Sequence, residues 1–268
     1  MDDDHYIANE KNAHIDTSNF EKEILEDVNR NPDIKDEKFV EHIYNKVFSQ
    51  TAVSPVEPDD EVLICRYLSP AKFIQFLDTR EIAFPTANQF TDKRECEVPQ
   101  DYNNAVLKIL HTLDRSVSMW TNYVRDKSST WNVSCWTELD NYFDDHLMWS
   151  IYAGGNQGIG ITIRYSQLKE HLIDSVKDMD LDGQLQRGRV NYESISMLPF
   201  NKHYMFRNEK EVRFAFRSYN GKFTTVSVDG IFNLFGVRIS PAAEPEHVDV
   251  IRNMWLKYDG EDRIQHPT

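Results

Sequence analysis

The sequence predicts an α+β protein: one mixed, mainly antiparallel sheet domain with flanking helices, preceded by a small helical appendage. Three observations carry that prediction. Strand-like runs rich in β-branched and aromatic residues neither alternate regularly with helical patterns nor stand alone, which argues for α+β rather than a parallel wound sheet. Hydrophobic residues make up 40% and aromatic residues 12% of the 268-residue chain, as in a globular protein, and that length accommodates one large domain with an addition. The segment "SPVEPDD" from Ser54 to Asp60 interrupts the pattern with two prolines and separates an N-terminal helical part from the rest.

Residues 1–17 are polar and without periodicity and are read as a disordered tail. Ser18 is placed to cap a helix through Phe20, Ile24, Leu25 and Val28, and a second helix presents Phe39, Ile43, Val47 and Phe48 on one face. Together with the proline segment these make the appendage and linker, 18–60, and the core domain is expected over 61–268. The run "VLICRY", Val62 to Tyr67, reads as a central strand, and Ser69-Pro70 supplies an N-cap and first-turn proline for a helix burying Phe73, Phe76 and Leu77. A short strand "EIAF" and a polar loop "NQFTDKRECE" come next. From Tyr102 to Val124 apolar residues recur at helical spacing, the strongest periodic signal in the chain, and predict one amphipathic helix on the core. Strands are expected at "TWNVSCWTE", "GIGITIRY", "GRVNYE", "EVRFAFR", "KFTTVSV" and "IFNLFGVRIS". Helices are expected at "DDHLMWSIYA", stopping at Gly154-Gly155, near Ser166 to Val176, and beyond Pro241.

Composition excludes several classes. With 30 basic and 44 acidic side chains, a net charge of -14 gives no field to hold a phosphate backbone, so non-specific nucleic-acid binding is not expected. Three cysteines, Cys65, Cys96 and Cys135, make no disulfide framework and no metal-ligand spacing. An acidic Met1-Asp2-Asp3-Asp4 start and the lack of an apolar run of roughly 18 residues point to a cytoplasmic protein without a membrane segment. The acidic N-terminal helices are a candidate docking arm for a protein partner.

Several blocks in order resemble a known family. "RYLSPAKFIQFLDTREIAFPTANQFTD", "NVSCWTE", "LMWSIYAGGNQGIGITI", "NEKEVRF" and "GVRIS" are similar to the signature blocks of the bacterial domain-of-unknown-function family 2971, over about Leu63 to Ser240. The family's Asn-Asp-Pro-aromatic-Glu loop departs here to Thr91, Asp92, Lys93, Arg94 and Glu95, of which Asp92 and Glu95 match; this puts specificity or activity in doubt.

The block order is in turn similar to that of ADP-ribosyltransferases of the arginine-serine-glutamate type. That resemblance implies an ADP-ribosyltransferase-like split sheet, NAD as substrate, and transfer of ADP-ribose to an unidentified acceptor in a toxin or phage-defence setting. The matching positions are Arg66, Ser134 and Glu209-Lys210-Glu211. Glu211 would stabilise the oxocarbenium-like transition state beneath the ribose, Arg66 would clamp the pyrophosphate, Ser134 would orient the carboxylate and Glu209 would polarise the acceptor. Tyr67 lies beside Arg66 in the cofactor strand, and Trp149 or Tyr152 would stack on a ring. The plainer alternative is that Arg66 is a structural arginine paired with a carboxylate, Glu211 among the candidates, and that Glu209 to Arg213 form a charged turn entering a strand.

Other chemistries compete. Cys135 with His146 or His203 would make a Cys/His hydrolase. Asp92, Glu95 and Glu97 could hold magnesium for nuclease chemistry, although such runs are usually solvated. A non-catalytic binding or sensor module, with Arg66 and the glutamates as a structural network, is the remaining alternative. "GGNQGIG" follows a helix and precedes a strand, the reverse of the phosphate-binding order, which disfavours a dinucleotide fold of the wound type.

Overall fold

A computed structural model of the chain describes residues 15–90, 96–139, 146–177, 179, 184–192, 197–218, 223–258 and 264–265. In chain order the elements are α1 (Ser18–Arg30), α2 (Asp36–Thr51), β1 (Leu63–Leu68), α3 (Pro70–Thr79), β2 (Glu81–Phe84), α4 (Gln100–Thr112), α5 (Val117–Ser129) and β3 (Trp131–Leu139). Then follow α6 (His146–Met148) running into a π-helical turn Trp149–Ala153, β4 (Ile159–Arg164), α7 (Tyr165–Lys177), β5 (Gln186–Arg189), β6 (Glu211–Arg217), β7 (Thr224–Ser227), β8 (Gly236–Ile239), α8 (Pro245–Lys257) and β9 (Ile264–Gln265). Among the described residues no helix is long and apolar enough to cross a membrane.

The chain divides into two compact units, one of residues 1–52 and 97–126 and one of residues 53–96 and 127–268. The smaller unit is helical. At the start of α1 the N-cap position is Thr17 and not Ser18, without a side-chain cap bond; Asp16 Oδ1 accepts the Ser18 N–H at 3.0 Å and the Ser18 hydroxyl at 2.6 Å. Phe20 and Ile24 of α1, and Phe39, Ile43 and Val47 of α2, are buried at helical spacing as expected. Within the same unit Phe20 meets Tyr102 edge to face at 5.2 Å.

The helix expected over 102–124 is two helices, and they belong to this smaller unit rather than the sheet domain. Asp114 takes a left-handed φ of 52°, which no helix interior tolerates, and the Ser116 hydroxyl accepts the Met119 N–H to restart α5. The apolar periodicity survives the break because Trp120 of α5 turns back on α4, its indole N–H donating to Asn103 at 3.0 Å.

Among the described residues the larger unit holds a sheet of seven strands in the order β5-β6-β3-β1-β4-β8-β9 and a separate pair, β2 with β7. Every pairing is antiparallel except the short β8–β9 contact. "KFTTVSV" thus leaves the main sheet to pair with "EIAF". The fold is α+β and mainly antiparallel with flanking helices, as expected.

Register assigns the two faces. Opposed residues in a ladder share a face and neighbours along a strand alternate. Ile64, Leu68, Trp136, Ile161, Phe214 and Phe216 lie on one face and form the main core with Phe73 and Phe76 of α3, Leu168 and Leu172 of α7 and Trp255 of α8. Cys65, Thr137, Glu211 and Arg213 lie on the other face, where the π turn packs Met148, Trp149 and Ala153 against Cys65 and Tyr67. Gly160 permits that approach, since a Cβ there would stand 2.7 Å from the Cys65 sulfur.

Candidate functional site

The candidate site is a buried ionic cluster where β6 begins. Glu211 opens the strand, and Arg213, two residues on, points to the same face. Its Nε donates to Glu211 Oε1 at 2.9 Å, its Nη2 to Oε2 at 2.8 Å and its Nη1 to the Pro199 carbonyl at 3.0 Å. Lys202 Nζ bridges Glu209 Oε2 at 2.7 Å and Glu211 Oε2 at 3.4 Å. The Tyr152 hydroxyl donates to Glu209 Oε1 at 2.8 Å, and the Tyr192 oxygen accepts the Glu211 N–H at 2.9 Å. Two carboxylates thus face two cations, all of them close to fully buried.

Electrostatics follow from that packing. Burial disfavours the ionised Glu211 carboxyl, but Arg213 and Lys202, with a hydrogen bond from the Cys135 thiol, outweigh it and hold the group near 2. Burial likewise opposes the Lys202 ammonium, and Glu211 and Glu209 more than reverse the effect, raising it above the usual lysine value. The Tyr152 and Tyr192 phenols are both raised, first by burial and then by the neighbouring glutamates.

The expected arginine-serine-glutamate constellation is not brought to one face. Arg66 opposes Ile161, on the core face, whereas Cys65 opposes Thr137 and Thr137 opposes Glu211, on the other. Half-buried Arg66 donates from Nη1 to Ser134 Oγ and to the Ala83 carbonyl, both at 3.0 Å, beneath the β2 backbone. Desolvation lowers the pKa of its guanidinium. Arg66 and Ser134 are therefore partners, and the Ser134 hydroxyl bonds Arg66 rather than Glu211. Its hydroxyl also accepts the Trp136 indole N–H at 3.0 Å.

The remaining assigned residues divide. Tyr67 and Trp149 stand on the Glu211 face, edge to face at 4.8 Å; the Arg238 guanidinium lies over the Trp149 ring at 5.7 Å and donates to the Tyr67 hydroxyl at 3.3 Å. Trp149 is only 2% exposed, so it is a core residue and not a stacking platform. Tyr152 is 41% exposed and keeps a ring edge in solvent. Cys135 is engaged with the Glu211 carboxylate, and His203 Nδ1 accepts the Met205 N–H. Asp92 and Glu95, with the departing loop 91–95, lie outside the described residues; Glu97 is exposed, and among the described residues no group of acids, histidines or cysteines is arranged for a metal.

Lys202 and Tyr192 had no place in the sequence reading, and Arg213 entered it only as the end of a charged turn. Glu211 and Arg213 at strand spacing were readable as a same-face pair. Lys202 approaches through a loop, and nothing in its neighbourhood announces the contact.

A comparison of the chain with protein-family models, curated proteins and solved structures returned no match.

Proposed function

We propose that the core domain is a binding or sensor module in which the Lys202–Glu209–Glu211–Arg213 cluster is structural. One observation carries this reading: both Glu211 oxygens are engaged by Arg213, with Lys202 and Cys135 adding further bonds. A carboxylate that steadies a ribosyl cation has to present an oxygen to substrate, and this one points at protein donors on every side. Nicotinamide release from NAD, followed with the purified chain and with Glu211→Gln, tests it. No release by either protein is the expected result. Release that Glu211→Gln abolishes while its circular dichroism is unchanged would sink the module reading.

The second reading is NAD-dependent transfer of ADP-ribose to an unidentified acceptor on an ADP-ribosyltransferase-like fold, as the family resemblance implies. It is favoured by the gathering of Tyr67, Tyr152, Glu209 and Glu211 on one side of the sheet. In that case Lys202 has to release Glu209 when substrate enters.

A further inference from the structure

A cavity of about 400 Å3 opens inside the larger unit beside the edge strand β5. That is the lower end of the range for small-molecule pockets, ~300–1,000 Å3, so it suits a compact ligand and not an extended dinucleotide. One wall is the strap Val53–Val56. The strap runs along β5 closely: the Arg189 N–H donates to the Val56 carbonyl at 2.8 Å, and a Cβ on Gly188 would stand 2.8 Å from both Pro55 Cβ and the Val56 oxygen. Glu57 clamps its far end through Arg187 at 2.9 Å and the Tyr165 hydroxyl at 3.0 Å. The wall is therefore fixed before any ligand arrives, which lowers the ordering cost of binding.

The lining also includes three aromatic residues, Tyr192, Phe200 and Tyr204, of which Tyr204 is exposed and Phe200 buried, together with Asn191 and Asn201. Its charge runs against the rest of the molecule. The chain carries a net -14, yet among the described residues the lining has two arginines and no carboxylate. Arg189 is committed to Glu138 through two bonds of 2.7 and 3.0 Å. Arg207 is not: its exposed guanidinium lies over the Tyr204 ring at 5.4 Å, and among the described residues no carboxylate comes within ion-pair distance. A rigid fork of donors at the rim, over aromatic rings and beside amides, has the chemistry of a site for a flat heterocycle bearing one anionic group.

We propose that this cavity binds a ring-bearing anion of nucleoside-monophosphate size, with its ring against Tyr192 and Tyr204, its polar edge on the asparagine amides and its phosphate on Arg207. The proposal rests on the binding-module reading and names its ligand class.

Calorimetric titration of the full chain with AMP, GMP, CMP and UMP, with adenosine and inorganic phosphate as partial ligands, tests it. Saturable binding of at least one monophosphate with Kd below ~1 mM is expected, with the nucleoside and phosphate each weaker. Arg207→Ala should weaken it ~10-fold or more, the loss of a charge-assisted pair, and Tyr204→Ala should weaken it independently. Both side chains are exposed, so neither change should disturb the fold. No saturable binding at millimolar monophosphate, or binding that both variants leave unchanged, overturns the proposal. If in addition the chain releases nicotinamide from NAD in a Glu211-dependent way, the module reading fails too; without that release only the ligand class falls.

Discussion

Replacing Arg213 with methionine should destabilise the larger unit more than any single surface change. Arg213 is 1% exposed and donates three hydrogen bonds, two to Glu211 and one to the Pro199 carbonyl. Methionine fills much of the same volume, so the cost arises from the stranded Glu211 carboxylate, left with Lys202 at 3.4 Å and the Cys135 thiol. Breaking a buried pair in this way costs ~3–5 kcal/mol. Arg213 and Lys202 also hold the Glu211 carboxyl well below its usual range, against the burial that would raise it, and this direction fixes the pH dependence. For a domain of this size the midpoint should fall by about 6–20 °C in scanning calorimetry. Because the folded carboxyl is the stronger acid, its contribution is full above about pH 4.5 and disappears as pH falls towards 2. The gap between wild type and Arg213→Met should therefore narrow over that window. Adding Glu211→Gln to Arg213→Met should recover part of the loss, since the unpaired charge is then gone. A midpoint lowered by less than ~3 °C, or a gap indifferent to pH, would refute the account of the cluster as a structural ion network.

Other changes follow from single contacts. Ser134→Ala removes the acceptor shared by Arg66 and Trp136, and should lower the urea midpoint by the equivalent of ~1–3 kcal/mol with an unchanged slope; an unaffected midpoint would mean water replaces the hydroxyl. Gly188→Ala places a methyl at a φ of 147° and against the strap, and should speed proteolysis near 53–57 relative to wild type, as read by mass spectrometry. In the helical unit, Arg115→Ala removes an ion pair with Asp36, a bond to the Ile34 carbonyl and a cation over the Phe39 ring at 4.6 Å. Amides in the first turn of α2 should then exchange faster, and unchanged protection would show that this turn is held without Arg115.

Much of the fold was legible because its signals are local. "VLICRY" and Ser69-Pro70 announce a strand and a helix start within a few residues, and Phe73, Phe76 and Leu77 fall on the buried side at helical spacing. The break in the 102–124 helix was not legible: Asp114 and Ser116 are acceptable helix residues, and only the left-handed turn between them stops the pattern. Nor could periodicity say which body those helices join, since an apolar stripe specifies burial but not its partner. The edge cavity was invisible for a similar reason. Its lining comes from 53–56, 189–192 and 200–207, three segments that meet through backbone pairing such as the Asn191–Asn201 bridge.

Parity explains the division of the candidate site. Ser134 and Cys135 are consecutive in β3, so a regular strand must send them to opposite faces, and a serine-based site and a cysteine-based one could never share a cleft. Ser134 goes with Arg66 to the core face and Cys135 with Glu211 to the other. What adjacency alone leaves open is which face each distant partner takes, because that depends on the register of β1 and β6 against β3, set by pairings some seventy residues apart in sequence. A shift of one residue in the β1 ladder would have carried Arg66 to the Glu211 face and Tyr67 to the core. Burial forbids it: Ile64 and Leu68 would then leave the apolar core, and Cys65 would no longer sit beneath Gly160, where no side chain obstructs its sulfur. The hydrophobic pattern of β1 thus decides that Arg66 supports the β2 backbone, and the same pattern leaves Glu211 to be neutralised by the arginine two residues along its own strand.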